Sequence, residues 1–175
     1  MNYIYILLID LESVLQNAIG EFLGSLTLAI LIWFIGTKVF KYPRIDGKWN
    51  FIVLTQLTDY NDFKDMELTY DTYLFQAGDS IKGTGEKVHE KSIKNPNLDY
   101  KAGNRTRITV SGNIKRSFSL RKDNELIIHI IEKGEKREST SIHNLKISKC
   151  GKKMKGIFYS SIANQSGEVN WEKVG

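Results

Sequence analysis

Residues 26–51 read LTLAILIWFIGTKVFKYPRIDGKWNF, and the two halves of this stretch ask for different solvents. The first half belongs to an uncharged run from Phe22 to Thr37. Extended to residues 18–40, the run is long enough to cross a bilayer as a helix, with Glu21 and Lys38 near its ends, where long side chains reach back to the interface. Nine Leu, Ile or Phe residues fall within 22–35. They contribute roughly −3 to −5 kcal/mol toward insertion. That outweighs the small polar cost of Ser25 and Thr27, whose hydroxyls can bond back to the helix. The second half passes Lys38, Lys41 and Pro43 and ends on Gly47-Lys48-Trp49. From there apolar and polar residues alternate, as in a half-buried strand. The expected division is an N-terminal membrane region over 1–41 and a β-barrel domain over 42–175.

Upstream of the apolar run, Ile4, Leu7, Leu8, Leu11, Val14, Leu15, Ala18, Ile19 and Phe22 recur at helical spacing, while Asp10, Glu12, Asn17 and Glu21 mostly fall on the other side. This is an amphipathic helix, suited to lie on a bilayer or to pack on copies of itself. At membrane depth Asp10 and Glu12 would be functional residues. Gly20 and Gly24 form a GxxxG pair, whose small side chains let helices approach closely. No Lys or Arg precedes the apolar run, whereas Lys38, Lys41, Arg44 and Lys48 follow it. The positive-inside rule then places the C-terminal domain in the cytoplasm. The acidic amino end does not fit a signal peptide, which opens on a basic segment.

Downstream of Pro43, Trp49, Phe51 and Val53 alternate with polar residues, and so do Met66, Leu68, Tyr70, Thr72 and Leu74. Ile108, Val110 and Ile114 share a face, and Phe118 and Leu120 continue the theme. Further runs occupy 125–132, 137–148, 154–163 and 168–174. Turn residues separate them at Ala77-Gly78-Asp79, Lys122-Asp123-Asn124, Lys133-Gly134-Glu135, Cys150-Gly151-Lys152 and Gln165-Ser166-Gly167. Only 88–104 reads as a longer loop. Eight or nine consecutive strands without a helical pattern predict an all-β fold: a small antiparallel up-and-down barrel whose closure removes exposed edges. Trp49 is expected to plug one end.

The chain has 25 basic and 20 acidic residues, and the positive excess lies wholly in 42–175. This balance favours an anionic partner, or serves solubility. One cysteine, Cys150, excludes a disulfide within the chain, and His89, His129 and His143 show no metal-ligand spacing. No nucleophile elbow or HExxH pattern is present, so a binding module without cofactor or catalytic residues is expected, not an enzyme. A barrel of this size is either filled by its own side chains or holds one small ligand. Gly83 and Gly85 flank Thr84 in IKGTGEK, residues 81–87, either bending the barrel or leaving room for a ligand. Arg105, Arg107, Thr109, Ser111 and Asn113 share a strand face, Lys115 follows, Tyr70 and Tyr73 lie on opposite faces, and Ser160 and Thr140 sit on otherwise apolar faces. Arginine forks and aromatic rings suit a ligand with phosphates and bases. The candidate ligand residues are therefore Tyr70, Tyr73, Thr84, Arg105, Arg107, Lys115 and Ser160. Alternation alone does not say which face of the Arg105–Asn113 strand points inward.

Taken together, FLGSLTLAILIWFIGTKVF, IDGKWNF, LTYDTYLFQAGDSIKGTGEK, SGNIKRSF and MKGIFYSSIANQSGEVNWEK span essentially the whole chain. In their order and architecture they resemble the transmembrane β-barrel effectors of bacterial CBASS antiphage defence, the CD-NTase-associated family. The resemblance implies that the barrel binds a cyclic dinucleotide made by a partner nucleotidyltransferase. Binding would then drive oligomerisation, inner-membrane disruption and cell death. That family is usually described with two membrane helices, whereas one clear span and an amphipathic partner are visible here. The alternatives are a membrane-tethered, lipocalin-like carrier of an apolar ligand, and a filled-barrel oligomerisation module.

Overall fold

The computed structural model describes residues 2–36, 42–117, 123–134 and 137–175, with backbone alone for 2–13. Expectations for Phe118 and Leu120, for the turn residues Lys122 and Glu135, for the span beyond Gly36 and for the side chains of Asp10 and Glu12 fall outside the described residues. The chain divides into two units, 1–41 and 42–175, at the expected boundary.

The first unit is one continuous helix, α1 (Asn2–Phe34). Amphipathic and apolar segments are thus parts of a single element, because no proline or capping residue interrupts the pattern between them. Val14–Phe34 is long and apolar enough to cross a membrane. At 1.5 Å per residue it covers about 32 Å. Its side chains are exposed, Phe22 to 67% and Leu28 to 59%, so nothing described in the chain covers its apolar surface. Ser25 Oγ donates to the Phe22 carbonyl at 2.9 Å and Thr27 Oγ1 to that of Leu23 at 2.8 Å. Both hydroxyls are satisfied within the helix, as insertion into lipid requires.

The second unit has nine strands: β1 (Gly47–Leu57), β2 (Glu67–Ala77), β3 (Ser80–Lys91), β4 (Leu98–Asp99), β5 (Arg107–Lys115), β6 (Asn124–Lys133), β7 (Glu138–Ile147), β8 (Lys153–Ser160) and β9 (Ser166–Lys173). All pairings are antiparallel. The order β2-β1-β9-β8-β7-β6-β5-β3 closes through β2–β3, giving an eight-stranded barrel, while two-residue β4 adds to the end of β3. The stretch expected to be a loop over 88–104 is therefore shortened, since β3 runs on to Lys91 and β4 pairs back on it.

Closure needs tight coiling, and this accounts for the glycines. A side chain at Gly83 would stand 2.6 Å from the Tyr73 carbonyl oxygen, and one at Gly85 would collide with Asp71 O and Thr72 Oγ1. These positions let β2 approach, and the room for a ligand considered for them is filled by backbone.

The two ends of the barrel differ. At the end where β1 begins, Ile45, Trp49, Leu74, Ile81, Leu126, Ile147 and Met154 are buried. Trp49 Nε1 donates to the Ile45 carbonyl at 2.7 Å, so the plug is apolar and its one polar atom is satisfied. Halfway up, the Trp171, Phe51 and Tyr70 rings stack, with Phe51 centroids 4.0 Å from Trp171 and 4.6 Å from Tyr70. Beyond them the inward positions become polar.

Candidate ligand cavity

Several inward faces end in polar residues on approaching the far end of the barrel. On β6 the series Leu126, Ile128, Ile130 is completed by Glu132. On β7, Ile147 and Leu145 give way to His143, Ser141 and Ser139, and on β8, Met154 and Phe158 to Ser160. A register shift between Thr69 and Tyr70 changes the parity of β3, so that Lys87 and then Glu90 both reach the interior. These residues surround a cavity of about 270 Å³ that opens between the loops 58–66, 92–106 and 161–165, with Gly134 and Arg137 also at its lining. Phe51, Val53, Leu68 and Ile130 form its lower wall, and Phe63 and Met66 lean over it from the β1–β2 loop.

The polar groups form two linked sets. Glu132 accepts from Tyr70 OH at 2.9 Å and pairs with Lys87 Nζ at 3.1 Å, with Lys87 and Glu132 side chains only 15% and 19% exposed. Burial, reinforced by the Glu132 carboxylate, pushes the Tyr70 phenol well above its ordinary value, so it donates. Glu90 accepts from Tyr100 OH at 2.7 Å and from Ser92 Oγ and Asn95 Nδ2 at 3.1 Å each. Burial opposes the Glu90 charge, but these three donors outweigh it and hold the carboxyl below its ordinary value. Lys87 Nζ also lies 5.2 Å from the Tyr100 ring centroid. Arg137 stands exposed at the rim.

His143 is the most enclosed polar group of the wall, 1% exposed. Its ring meets Phe51, Phe158 and Trp171 edge-on. Nε2 lies 3.3 Å from Ser141 Oγ, and Nδ1 has no hydrogen-bond partner among the described residues. Burial lowers its pKa to about 3, so the imidazole is neutral at physiological pH.

Of the residues singled out from sequence, Tyr70 and Ser160 line the cavity. The other five do not. Tyr73 is 49% exposed on the outer face, its ring 4.9 Å from Phe75, and Thr84 is exposed beside it. Arg107 points outward because Ile108 and Val110 take the interior of β5. Arg105 is half-buried outside the cavity, pairing with Glu86 at 3.5 Å and donating from Nε to the Tyr100 carbonyl at 3.2 Å. Lys115 pairs with Glu125 at 3.6 Å on the surface. On α1, side chains added at Gly20 and Gly24 would meet nothing within 4 Å.

Lys87, Glu90, Glu132, His143 and Arg137 were missed. A legible signal existed for two of them, a charged or titratable residue continuing an apolar alternation at Glu132 and His143. Lys87 continues the parity of inward Ile81 and Gly83, whereas Glu90 was hidden by the irregular register of β3.

No family model matches the chain, and neither does any curated protein or any solved structure.

Proposed function

We propose that this chain is a membrane-anchored receptor of the kind represented by the CBASS β-barrel effectors, in which the open end of the barrel takes a cyclic dinucleotide. The observation that carries the reading is the cavity of about 270 Å³ above the Trp171–Phe51–Tyr70 stack, with Lys87 in its wall and Arg137 at its rim. This volume lies just below the usual range for small-molecule sites. It suits one base inserted between apolar walls, with the sugar-phosphate ring outside. Lys87 and Arg137 then meet the phosphates, and His143 and Glu132 supply hydrogen bonds that distinguish bases. A partner nucleotidyltransferase supplies the ligand. The bound receptor self-associates through α1, with Gly20 and Gly24 at the contact, and the clustered helices disrupt the inner membrane and kill the cell. Ligand drives this only if the assembled state binds it more tightly. The barrel lies in the cytoplasm, following the basic residues after the apolar run.

Two features weigh against the alternatives. An apolar chain in this cavity would strip the remaining water from the charged Lys87, Glu90 and Glu132 and leave His143 Nδ1 without a partner, which is unfavourable. A barrel serving only to oligomerise has no use for an open polar end.

The test is thermal unfolding of the detergent-solubilised chain against a panel of cyclic di- and trinucleotides. At one hundred times Kd, a cognate ligand stabilises by about 2.7 kcal/mol. Stabilisation by fatty acids or phospholipids and by no cyclic nucleotide would favour the carrier instead.

A further inference from the structure

The sealed end of the barrel carries a surface that ligand binding leaves unused. The β7–β8 hairpin turns there, and the chain has no Asp or Glu between Glu138 and Glu168. Lys146, Lys149, Lys152 and Lys155 are all exposed on it. Lys146 and Lys155 stand directly opposite each other across β7 and β8. Glu125 faces Lys146 from β6 and partly offsets this repulsion, so Lys149 and Lys152 at the turn supply the charge that an external anion would meet.

The hairpin turn lies against the segment by which the chain enters the barrel. A side chain at buried Gly151 would stand 3.4 Å from the Arg44 carbonyl oxygen. Lys173 N donates to the Lys152 carbonyl at 2.9 Å, Ile45 N to Gln76 Oε1 at 2.9 Å, and Gln76 Nε2 to the Pro43 carbonyl at 3.0 Å. Tyr42, Tyr73 and Phe75 are exposed beside Arg44 around a shallow groove at this end. The cavity end carries both signs, with Asp59, Asp62 and Asp65 of its β1–β2 loop set among Lys64, Lys94, Lys101 and Arg105. The connection between Gly36 and Tyr42 reaches at most roughly 22 Å. The basic end is therefore the one tethered near any bilayer that holds α1.

We propose that this end of the barrel docks on the anionic headgroup surface of the membrane, with the β7–β8 lysines on lipid phosphates and the three aromatic side chains at the interface. The cavity then opens away from the bilayer, toward the compartment that supplies its ligand. The inference rests on reading α1 as membrane-embedded, and the experiment separates the two.

Cys150, the chain's one cysteine, is exposed on this turn and takes a fluorescent label. The full chain is reconstituted in vesicles of phosphatidylcholine alone or with phosphatidylglycerol, each containing a headgroup-attached quencher, and recovered by flotation. A label at the opposite end is provided by Lys101→Cys in a Cys150→Ser background. The expected result is quenching at Cys150 that is stronger with phosphatidylglycerol and falls with added salt, and little quenching at position 101. Each lysine near an anionic surface changes binding roughly fivefold, so Lys149→Glu with Lys152→Glu lowers the docked-to-undocked ratio roughly 25-fold or more. Flotation with equal quenching at both positions, or quenching indifferent to lipid charge, overturns the docking face and leaves the membrane helix standing. A chain that does not float overturns both.

Discussion

The two ends of this barrel are built from the same eight strands and do opposite things. At the end where β1 begins, the inward residues are Trp49, Leu74, Ile81, Leu126, Ile147 and Met154, and the interior is shut. Along the same strands, about 20 Å on, the inward residues are Lys87, Glu132, His143, Ser141 and Ser160, and the interior is open. The difference shows where stability and selectivity were placed. Apolar burial at the sealed end stabilises the barrel, and the open end holds charges in paired arrangements whose partners a ligand can replace.

Breaking the sealed end gives the largest effect. Trp49→Ala removes a fully buried ring that packs under the whole core and loses the bond to the Ile45 carbonyl. Stability in denaturant titration should fall by about 3–5 kcal/mol. Affinity of the remaining folded protein for its ligand should change little, since the tryptophan lies outside the cavity. A stability loss below about 1 kcal/mol would mean that this end is not the packed seal.

A smaller effect is expected from disarming the open end. Lys87→Met leaves the Glu132 carboxylate with Tyr70 alone, in a wall that now presents uncompensated negative charge. Affinity for an anionic ligand, measured by calorimetry, should fall about tenfold to a hundredfold, the range for one hydrogen bond to a charged group. Arg107→Ala, on the outer face of β5, should alter affinity less than about twofold. The reverse ranking would move the binding surface from the cavity to the outside of the barrel.

The contrast between the ends also explains what could be read in advance. The apolar core was legible because Trp49, Phe51, Val53 and Ile108, Val110, Ile114 alternate cleanly, and alternation of large apolar residues has one physical meaning. The open end was legible only in Tyr70 and Ser160. A polar residue at an inward position looks, in sequence, like a polar residue at an outward one, so Arg107 and Lys87 carried equal weight. Deciding between them needs the parity of each strand, and the irregularity opposite Thr69 and Tyr70 shifts that parity within β3. The separation of α1 from the barrel was plain from composition. The merging of its amphipathic and apolar parts was not, because a change of pattern along a helix need not interrupt it.

The smallest effect, and the sharpest discriminator, is a pH dependence located in His143. Its native pKa of about 3 lies below the value near 6.5 of an unfolded chain. Between these values the unfolded state binds a proton that the native state refuses, so stability is complete above pH 6.5 and declines as pH falls toward 3. The slope approaches about 1.4 kcal/mol per pH unit. His143→Leu removes this proton and leaves the carboxylates common to both proteins. The stability of wild type minus that of the variant should therefore fall steadily as pH drops from 6.5 to 4.5, whatever its value at pH 7. Parallel profiles would mean that the imidazole is reached by water or by a partner in solution, and the cavity floor would then be open where the structure closes it. A slope restored to zero by saturating ligand would place a hydrogen-bonding group of that ligand against the unpartnered Nδ1.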